Sequence, residues 1–222
     1  MTDWAWDERF RNEEYPVDAE PSDLLKRFVA TLDGGRALDV ATGTGRNAVY
    51  LAGQGYDVVG LDRSVEGLRI ARERATERGV EDRCAWVQTD LAEHEFATGT
   101  YDLVTVSFFR VVDRLMDVLD ALRPGGLLFV EHHLRTTGAV DRGPGGDRYR
   151  FGANELLHAA LPLTVLHFET RTEERDGRRG AVTRVVARNT HGTRQSYPEV
   201  PASVPDPDSS SAAEYSAGST IR

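Results

Sequence analysis

The chain has 222 residues, and two residue types are almost missing from it. Its only cysteine, Cys84, cannot form an internal disulfide, and its apolar surroundings favour a small buried core residue over a nucleophile. Its only lysine, Lys26, stands among 27 basic residues, so the chain has no Tyr-x-x-x-Lys pair of the kind that some nicotinamide-dependent reductases use. The arginine excess fits salt adaptation and coding bias equally well.

Long apolar runs and excess positive charge are also missing. No window approaches the ~20 apolar residues that span a bilayer, and the initial MTDWAWDERF lacks the basic-then-apolar layout of a secretory signal, so we expect a cytoplasmic protein. The formal net charge of −9 disfavours nucleic acid and anionic membranes as partners. Four histidines show no metal-ligand spacing, so no metal is expected: His94, His158, His167 and His191.

Composition and periodicity divide the chain into three parts. Residues 1–19 mix aromatic and charged side chains, which we interpret as a lid over a binding site. Residues 20–190 alternate predicted strands and helices and are expected to form one domain. Residues 191–222 are rich in proline, serine and alanine without periodicity, which predicts a disordered tail.

The alternation predicts an α/β fold. A first helix is expected from its N-cap Ser22 to Gly34. It is followed by ALDVA, RNAVYLAGQG, DVVGLD, SVEGLRIARERATERG, CAWVQT, YDLVTVSFF, RVVDRLMDVLDAL, a turn at RPGG and LLFVEH. Parallel strands need helical crossovers, so we expect a Rossmann-like, doubly wound, mostly parallel sheet with helices on both faces. After a helix at NELLHAAL, the runs LTVLHFET and AVTRVVAR predict an antiparallel hairpin that completes a seven-stranded sheet.

The first predicted strand runs into a turn that is almost free of large side chains, in ALDVATGTGRNA. Such a turn lets backbone N–H groups approach a ligand closely at a helix N-terminus. Gly43-x-Gly45-x-x-Ala48 matches the dinucleotide fingerprint, and Asp62 follows Gly43 by 19 positions, close to the ~20 expected for a ribose-binding acid. An ordinary strand-to-helix turn fits the same pattern, so the turn alone does not identify a ligand.

Five motifs, in a fixed order along the chain, narrow the choice of ligand for this turn. They are D-V-A-T-G-T-G at 39–45, Asp62 closing the second strand, Asp-Leu at 90–91 after the third, YDLV opening the fourth, and LRPGG before the fifth. Over residues 20–190 this order resembles the class I S-adenosylmethionine-dependent methyltransferases, whose sheet also ends in a hairpin. Ala41 stands where the family usually has glycine, which leaves a non-catalytic S-adenosylmethionine-binding protein as an alternative.

The resemblance implies S-adenosylmethionine as the cofactor and gives the matching positions their roles. The turn would pack along the methionine and ribose moieties, and Asp39 would offset the ammonium group. Asp62 would accept both ribose hydroxyls, and Asp90 would accept from the adenine amino group. The implied cofactor-binding residues are Asp39, Ala41, Thr42, Gly43, Thr44, Gly45, Asp62, Arg63, Asp90, Leu91, Ser107 and Phe108.

The acceptor side carries a narrower resemblance. WDERF, EEYP, EPSDLL, LRPGGLLFVEHH and YRFGANELLHAAL resemble the small methyltransferases grouped with tellurite-resistance and thiopurine enzymes. That implies a small-molecule acceptor, either a soft nucleophile such as a thiol or chalcogen species, or a heterocycle. His132 is the candidate catalytic residue, although a histidine that only caps its strand is an equal alternative. The expected pocket residues are Trp6, Tyr15, Phe109, Arg110, His133 and Arg135.

A nicotinamide-dependent reductase using the same turn is the competing function from another class. The acid in the first strand distinguishes the two, because Asp39 suits a ligand that brings its own positive charge. In either case the pocket walls are expected beyond the carboxyl ends of the fourth and fifth strands. Oligomeric state is left open.

Overall fold

The computed structural model describes residues 4–12, 20–175 and 177–190, without the side chains of Trp4, Ala5 and Arg175. The predictions made for Tyr15 and for the 191–222 tail lie outside these residues, as does part of the 1–19 segment. The strands are β1 (Gly35–Val40), β2 (Tyr56–Asp62), β3 (Cys84–Gln88), β4 (Tyr101–Ser107), β5 (Leu122–His133), β6 (Thr164–Arg175) and β7 (Arg178–Arg188). The α-helices are α1 (Trp4–Arg11), α2 (Asp23–Val29), α3 (Arg46–Gly53), α4 (Val65–Glu77), α5 (Leu115–Asp120) and α6 (Glu155–Ala160).

The strands form one seven-stranded sheet in the order β3-β2-β1-β4-β5-β7-β6. Strands β1 to β5 pair in parallel, and β7 pairs antiparallel with both β5 and β6. The predicted seven-stranded sheet with its antiparallel hairpin is therefore confirmed. The strand order reverses between β1 and β4, and in open α/β sheets ligands bind in the crevice beyond the carboxyl ends of the strands at such a point.

Alternation along the strands builds an apolar layer on each face of the sheet. On one face, Leu128 and Val130 of β5 pack in a cluster that includes residues of α5 and α6. On the other, Leu127 and Phe129 pack in a cluster that includes residues of α2 and α3. Successive strand residues point to opposite faces, so one apolar strand serves both layers. The prediction of helices on both faces is confirmed.

Two predicted boundaries are wrong. The helix that begins after Ser22 ends at Val29 rather than near Gly34. The N–H groups of Thr31 and Leu32 bond to carbonyls three residues back, so the i→i−4 ladder of the α-helix gives way to a tighter turn. The RPGG segment lies inside β5 instead of forming a separate turn. The pairing of β4 with β5 shifts register between Tyr101 and Leu103, so an irregularity in the ladder accommodates the two glycines within the strand.

Shorter elements replace one predicted helix. The stretch RVVDRLMDVLDAL forms a single 3₁₀ turn at residues 112–114 and then α5. Cys84 is half-buried at the start of β3 rather than fully buried, and burial raises the pKa of its thiol to about 11. Such a thiol is protonated at neutral pH and is a poor nucleophile. Among the helices of the described residues, none is long and apolar enough to cross a membrane.

Candidate functional site

The glycine-rich turn connects β1 to α3 at the reversal of strand order. Its residues Ala41, Gly43 and Gly45 all have left-handed backbones, with φ of 56°, 54° and 75°. A Cβ placed on Gly45 would lie 2.8 Å from the Cβ of Ala71 in α4, so only glycine fits there. The turn therefore packs tightly against α4.

Asp39 lies beneath this turn at the end of β1. It is 2% exposed, and its two carboxylate oxygens accept the hydroxyls of Thr42 and Thr105, each at 2.6 Å. Burial raises the pKa of Asp39, while the two hydroxyl bonds act to lower it. The carboxylate thus anchors the turn to β4. Its predicted role beside the cofactor's ammonium group stays a prediction.

Asp62 closes β2 and connects the turn to α4. Its Oδ2 accepts the N–H of Gly43 at 2.7 Å, and its Oδ1 accepts the N–H of Ser64 at 2.9 Å. The residue is 8% exposed, and burial raises the pKa of its carboxyl group. A carboxylate oxygen can accept a second hydrogen bond, so both oxygens keep capacity for a diol. Its predicted ribose contact is compatible with this geometry and stays a prediction.

The predicted adenine contacts lie one strand further out, after β3. Asp90 has a side chain that is 52% exposed, and its Oδ1 accepts the N–H of Ala92 at 2.9 Å. Arg63 comes within 3.9 Å of the other carboxylate oxygen. Leu91 is buried at 7% exposure. The turn cap formed by Asp90 leaves an exposed carboxylate at the same edge of the sheet as Asp62.

Phe108 directly follows β4 and is strained. Its φ of 57° is unusual for a bulky residue, and its N–H donates to the carbonyl of Glu131 at 2.9 Å. The ring faces that of His133, with centroids 4.8 Å apart, and the guanidinium of Arg46 lies 5.3 Å from its centroid. Strained backbones persist where surrounding structure fixes them and cluster at functional sites. The strain therefore supports the predicted place of Phe108 in the pocket wall.

A buried row of charged residues lies beside Phe108, and the sequence analysis missed it. Glu131 of β5, 1% exposed, accepts from Arg46 at 2.5 Å and from Ser107 at 3.1 Å. Its second oxygen accepts from Arg184 of β7 at 3.1 Å. Ser107, a predicted cofactor residue, thus binds a buried carboxylate and also accepts from Asn47 at 2.9 Å.

The row continues across the sheet to the outer hairpin. Arg184, 4% exposed, donates to Glu169 and to Glu173 of β6 at 2.8 Å each. Glu173 also pairs with Arg142, in the loop after β5. Burial acts to raise the pKa of Glu169 and Glu173, but hydrogen bonds and charges from arginine outweigh it and lower both. We call Arg46, Glu131, Arg184, Glu169, Glu173 and Arg142 the charge ladder.

The two histidines that end β5 differ in exposure. His132 is 3% exposed and packs edge-on against Phe151, with ring centroids 5.3 Å apart. His133 is half-buried against Phe108. Burial is the main cause that lowers the pKa of His132 to about 4 and that of His133 to about 3, so both rings are neutral near pH 7. His133 is therefore the ring nearer to solvent, and the catalytic role of His132 stays a prediction.

The remaining pocket residues surround this wall. Phe109 is 36% exposed, Arg110 pairs with Glu155 of α6, and Arg135 donates to the carbonyl of Asp147 at 2.8 Å. The two arginines are thus engaged within the protein. Within the described parts of the chain, no group of three or more histidine, cysteine or acidic residues is placed to hold a metal ion.

Helix α1 lies directly over the glycine-rich turn. Asp7 accepts the hydroxyl of Ser64 at 2.5 Å and the N–H of Glu66 at 3.1 Å, and it thereby binds the N-terminus of α4. A Cβ on Gly43 would come within 3.4 Å of the ring of Phe10. Trp6 packs beside Phe10 with centroids 6.0 Å apart. This part of the predicted lid contacts the turn.

The residues at the crevice fit an S-adenosylmethionine molecule. Asp62, at the end of β2, can accept hydrogen bonds from a diol. The exposed Asp90, which follows the neighbouring strand β3, can accept from an adenine amino group. At the other side of the turn, the Oδ1 of Asn47 is buried and has no hydrogen-bond partner among the described residues. A buried acceptor without a donor is costly, and an ammonium group would supply one.

Comparison with known proteins agrees with this geometry. Residues 37–126, from β1 into β5, match the family model described as a methyltransferase domain. The C-methyltransferase UbiE of ubiquinone and menaquinone biosynthesis is 34% identical over 146 residues in Pseudomonas fluorescens, covering 60% of this chain and 57% of that protein. The Azotobacter vinelandii protein of the same name is 32% identical over 129 residues, covering 53% and 51%. The chain thus spans about half the length of these relatives.

Solved structures share the fold. TehB from Haemophilus influenzae superposes with a TM-score of 0.67 at 19% identity, covering 82% of this chain and 67% of that one. A Methanosarcina mazei protein described as an S-adenosylmethionine-dependent methyltransferase gives 0.63 at 15% identity, covering 77% and 99%. At these identities the likeness shows the fold alone, so the tellurite-resistance and thiopurine subgroup stays a prediction.

Proposed function

We propose that this chain, a class I S-adenosylmethionine-dependent methyltransferase, transfers the cofactor's methyl group to a small-molecule acceptor. The observation that carries the proposal is the strand-order reversal with its left-handed turn, buried Asp62 and family match in one segment. Methyl transfer from a sulfonium depends mainly on in-line positioning of donor and acceptor. The chain's own contribution is then to bind, orient and exclude water.

Several residues would share the binding. The turn at 41–45 would pack along the cofactor, Asp62 would accept the ribose hydroxyls, and Asp90 with the Leu91 N–H would meet the adenine. Arg63 would lie beside Asp90 and line the adenine part of the site. The strained Phe108, with Ser107 behind it, would form the wall between cofactor and acceptor.

The acceptor is proposed to be a small molecule held against Phe108, Phe109 and His133. A neutral imidazole at neutral pH suits an apolar or aromatic acceptor, because it orients a polar group without adding charge. This supports a soft nucleophile or heterocycle. A quinone-type ring methylated at carbon is the second candidate, and the relatives named for ubiquinone and menaquinone biosynthesis favour it.

We also propose that residues 1–19 act as a lid. The support is the docking of α1, where Phe10 lies against Gly43 and Asp7 binds the start of α4. A Trp86→Phe variant leaves only Trp4 and Trp6, so its fluorescence reports on this segment. We expect the emission to shift when S-adenosylmethionine binds, and an unchanged spectrum at saturation would contradict the lid.

The acceptor is tested by turnover. Purified protein is incubated with methyl-labelled S-adenosylmethionine and a panel of thiols, chalcogen oxyanions, heterocycles and phenolic quinol analogues. Label is expected in one class only, at sulfur, selenium or ring nitrogen for the first candidate and at ring carbon for the second. Binding without transfer to any acceptor would favour the non-catalytic alternative, and hydride transfer with a nicotinamide cofactor would favour the reductase.

A further inference from the structure

A pocket lies in the loop that follows β5, and its lining includes none of the residues given a role above. It has a volume of about 240 Å³ and is lined by Thr136, Val140, residues 144–147 and Arg150. Thr136 and Asp147 are exposed, so the pocket opens to solvent, whereas Arg150 is only 8% exposed. The pocket therefore combines apolar and glycine surface with one buried cation.

The guanidinium of Arg150 has no carboxylate partner among the described residues. Its Nε and Nη2 donate to the carbonyl of Pro144 at 3.2 and 3.0 Å. Its Nη2 and Nη1 donate to the carbonyls of Arg142 and Leu134 at 3.4 Å each, beyond the usual length of an N–H···O bond. Arg184, buried to a similar extent, donates to three carboxylates. Buried charges are normally paired, so Arg150 keeps a positive charge that the described residues do not neutralise.

Thr136 gives the pocket a second donor. Its Oγ1 accepts the N–H of Gly138 at 3.0 Å, and its hydroxyl hydrogen has no acceptor in the described part of the chain. That hydrogen is available to a ligand, because a hydroxyl can accept and donate at once. A guanidinium fork and a hydroxyl donor together match the two oxygens of a carboxylate.

The surrounding segment favours an anion of single charge. Residues 135–150 contain four arginines and two aspartates, although the whole chain has a formal net charge of −9. Among the described residues, Arg142 is the one of these arginines that pairs with a carboxylate, that of Glu173. The exposed Asp147 lines the pocket itself and would repel a doubly charged phosphate more than a carboxylate. A carboxylate is therefore the anion that fits best.

Gly143 connects this pocket to the wall proposed for the acceptor. A Cβ placed on it would lie 3.0 Å from Nη2 of Arg150 and 2.8 Å from Nδ1 of His133, so only glycine fits between them. The His133 ring in turn faces that of Phe108, with centroids 4.8 Å apart. Burial is the main cause that lowers the pKa of His133, and the charge of Arg150 lowers it further. The pocket thus adjoins the acceptor wall.

We propose that Arg150 and Thr136 bind a carboxylate group in this pocket, supplied either by the methyl acceptor or by a separate small carboxylate. The guanidinium holds the carboxylate, the hydroxyl donates to one of its oxygens, and the bound anion neutralises the buried cation. The site goes beyond the proposed function, and only its use by the acceptor rests on that function.

An NMR titration of the isotope-labelled full chain tests the site. The probes are benzoate and benzamide, a neutral analogue of nearly the same shape, at constant ionic strength. Benzoate is expected to shift the amide signals of Gly143, Gly145 and Gly146 with a dissociation constant of about 1–10 mM. Benzamide should leave these signals unchanged, and inorganic phosphate should bind more weakly than benzoate.

Variants assign the binding to its donors. Arg150→Gln is expected to weaken benzoate binding at least about 10-fold, and Arg150→Lys about threefold to tenfold, because an ammonium lacks the planar fork. Thr136→Val should weaken it about threefold. Arg148→Gln is the matched control, since this arginine of the same loop is exposed and stacks on Tyr149, and it should match wild type.

Kinetics separate the two sources of the carboxylate. Transfer of labelled methyl from S-adenosylmethionine to the acceptor that takes the label is measured with and without benzoate. An acceptor that supplies the carboxylate competes with benzoate, so its KM rises while kcat is unchanged. A separate carboxylate changes kcat without competition. Absence of transfer to any acceptor would count against the proposed function and would leave the titration result intact.

Three results would overturn the site while the proposed function stands. They are no saturable shift with benzoate in wild type, equal shifts with benzamide, and a loss of binding in Arg148→Gln as large as that in Arg150→Gln. Should Arg150→Gln not fold by circular dichroism, Arg150→Lys and Thr136→Val decide. Benzoate affinities in both variants equal to wild type would then contradict the assignment.

Discussion

The two halves of the crevice use opposite means to hold their shape. On the β1–β2 side, left-handed backbone, glycine and two buried aspartates form the turn through short local contacts. On the β5–β7–β6 side, the charge ladder connects residues far apart in sequence, such as Glu131 and Arg184, which are 53 positions apart. The family match ends at residue 126, before either of these residues. The family match thus includes the glycine-rich turn and leaves Glu131 and Arg184 outside it.

Breaking the charge ladder is expected to have the largest effect. Arg184→Met removes the cation between Glu131 and Glu169, so the buried Glu131 keeps only Arg46 as its cationic partner. Loss of one member of a buried pair destabilises by about 3–5 kcal/mol. Urea denaturation measures the change, with the exposed Arg83→Gln expected within about 0.5 kcal/mol of wild type. A loss below about 1 kcal/mol for Arg184→Met would mean that the ladder contributes little.

A change in the other half should cost somewhat less. Gly45→Ala places a Cβ 2.8 Å from the Cβ of Ala71, at a φ of 75°. Left-handed strain and overpacking together are expected to cost about 2–4 kcal/mol and to weaken cofactor binding. Gly53→Ala, at the last residue of α3, is the control, because a Cβ there meets nothing within 4 Å. That variant should be neutral or slightly stabilising, and equal effects at both positions would contradict the tight turn.

Lowering the pH tests whether the fold keeps His132 and His133 neutral. Burial, the main cause, lowers the pKa of His132 to about 4 and that of His133 to about 3, below the ordinary value of 6.5. As the pH decreases, these histidines bind protons in the unfolded chain at a higher pH than in the folded chain. Their contribution to the free energy of unfolding is therefore fully present above about pH 6.5 and is lost as the pH falls toward 4 and 3. Between pH 7.5 and 5.5 the two rings together should cost about 2–3 kcal/mol.

A double variant isolates this contribution from the buried acids. His132→Asn with His133→Gln removes both rings while Asp39 and Asp62, whose pKa values burial raises, are unchanged. Denaturation midpoints at the two pH values should then differ less than in wild type. Identical pH dependence in both proteins would show that neither ring is held neutral by the fold.

Local sequence patterns explain why the β1–β2 side of the crevice could be predicted. The period-two apolar strands, the caps at Ser22 and Ser64, and the bare turn all depend on neighbours in sequence, and each was found where expected. The boundary error at RPGG arose where pairing of β5 with the distant β4 overrides local turn preference. The error at Gly34 arose because the last helical turn changes to i→i−3 hydrogen bonds after Ala30. A turn signal does not report what lies across the sheet.

The charge ladder could not be predicted from local sequence patterns. Glu131 and Arg184 are single charged residues within apolar runs, which was the one available signal, but their partnership depends on the register of β5 with β7. Arg46 looked like the start of a helix and nothing more. The burial of His132 likewise depends on Phe151, which arrives from a loop after β5.

The smallest expected change in stability comes from a substitution in the glycine-rich turn. Ala41 has a φ of 56°, which costs an alanine about 1–2 kcal/mol, whereas glycine there loses about 0.4–1 kcal/mol through the freer unfolded chain. Ala41→Gly is therefore expected to stabilise by about 0.5 kcal/mol. Ala48→Gly, in the buried interior of α3, is the control and should destabilise by about 1 kcal/mol. A stability loss for Ala41→Gly, measured by thermal unfolding, would contradict the strain.

The most direct measurement is a calorimetric comparison of S-adenosylmethionine with a nicotinamide dinucleotide, on wild type and on Asp62→Ala. Wild type is expected to bind the sulfonium cofactor and not the dinucleotide. Asp62→Ala should weaken that binding by about 1.5–3 kcal/mol, the scale of hydrogen bonds to a charged group. Tight binding of the dinucleotide with none of S-adenosylmethionine, or an unchanged affinity in a folded Asp62→Ala variant, would contradict the cofactor site described for this turn.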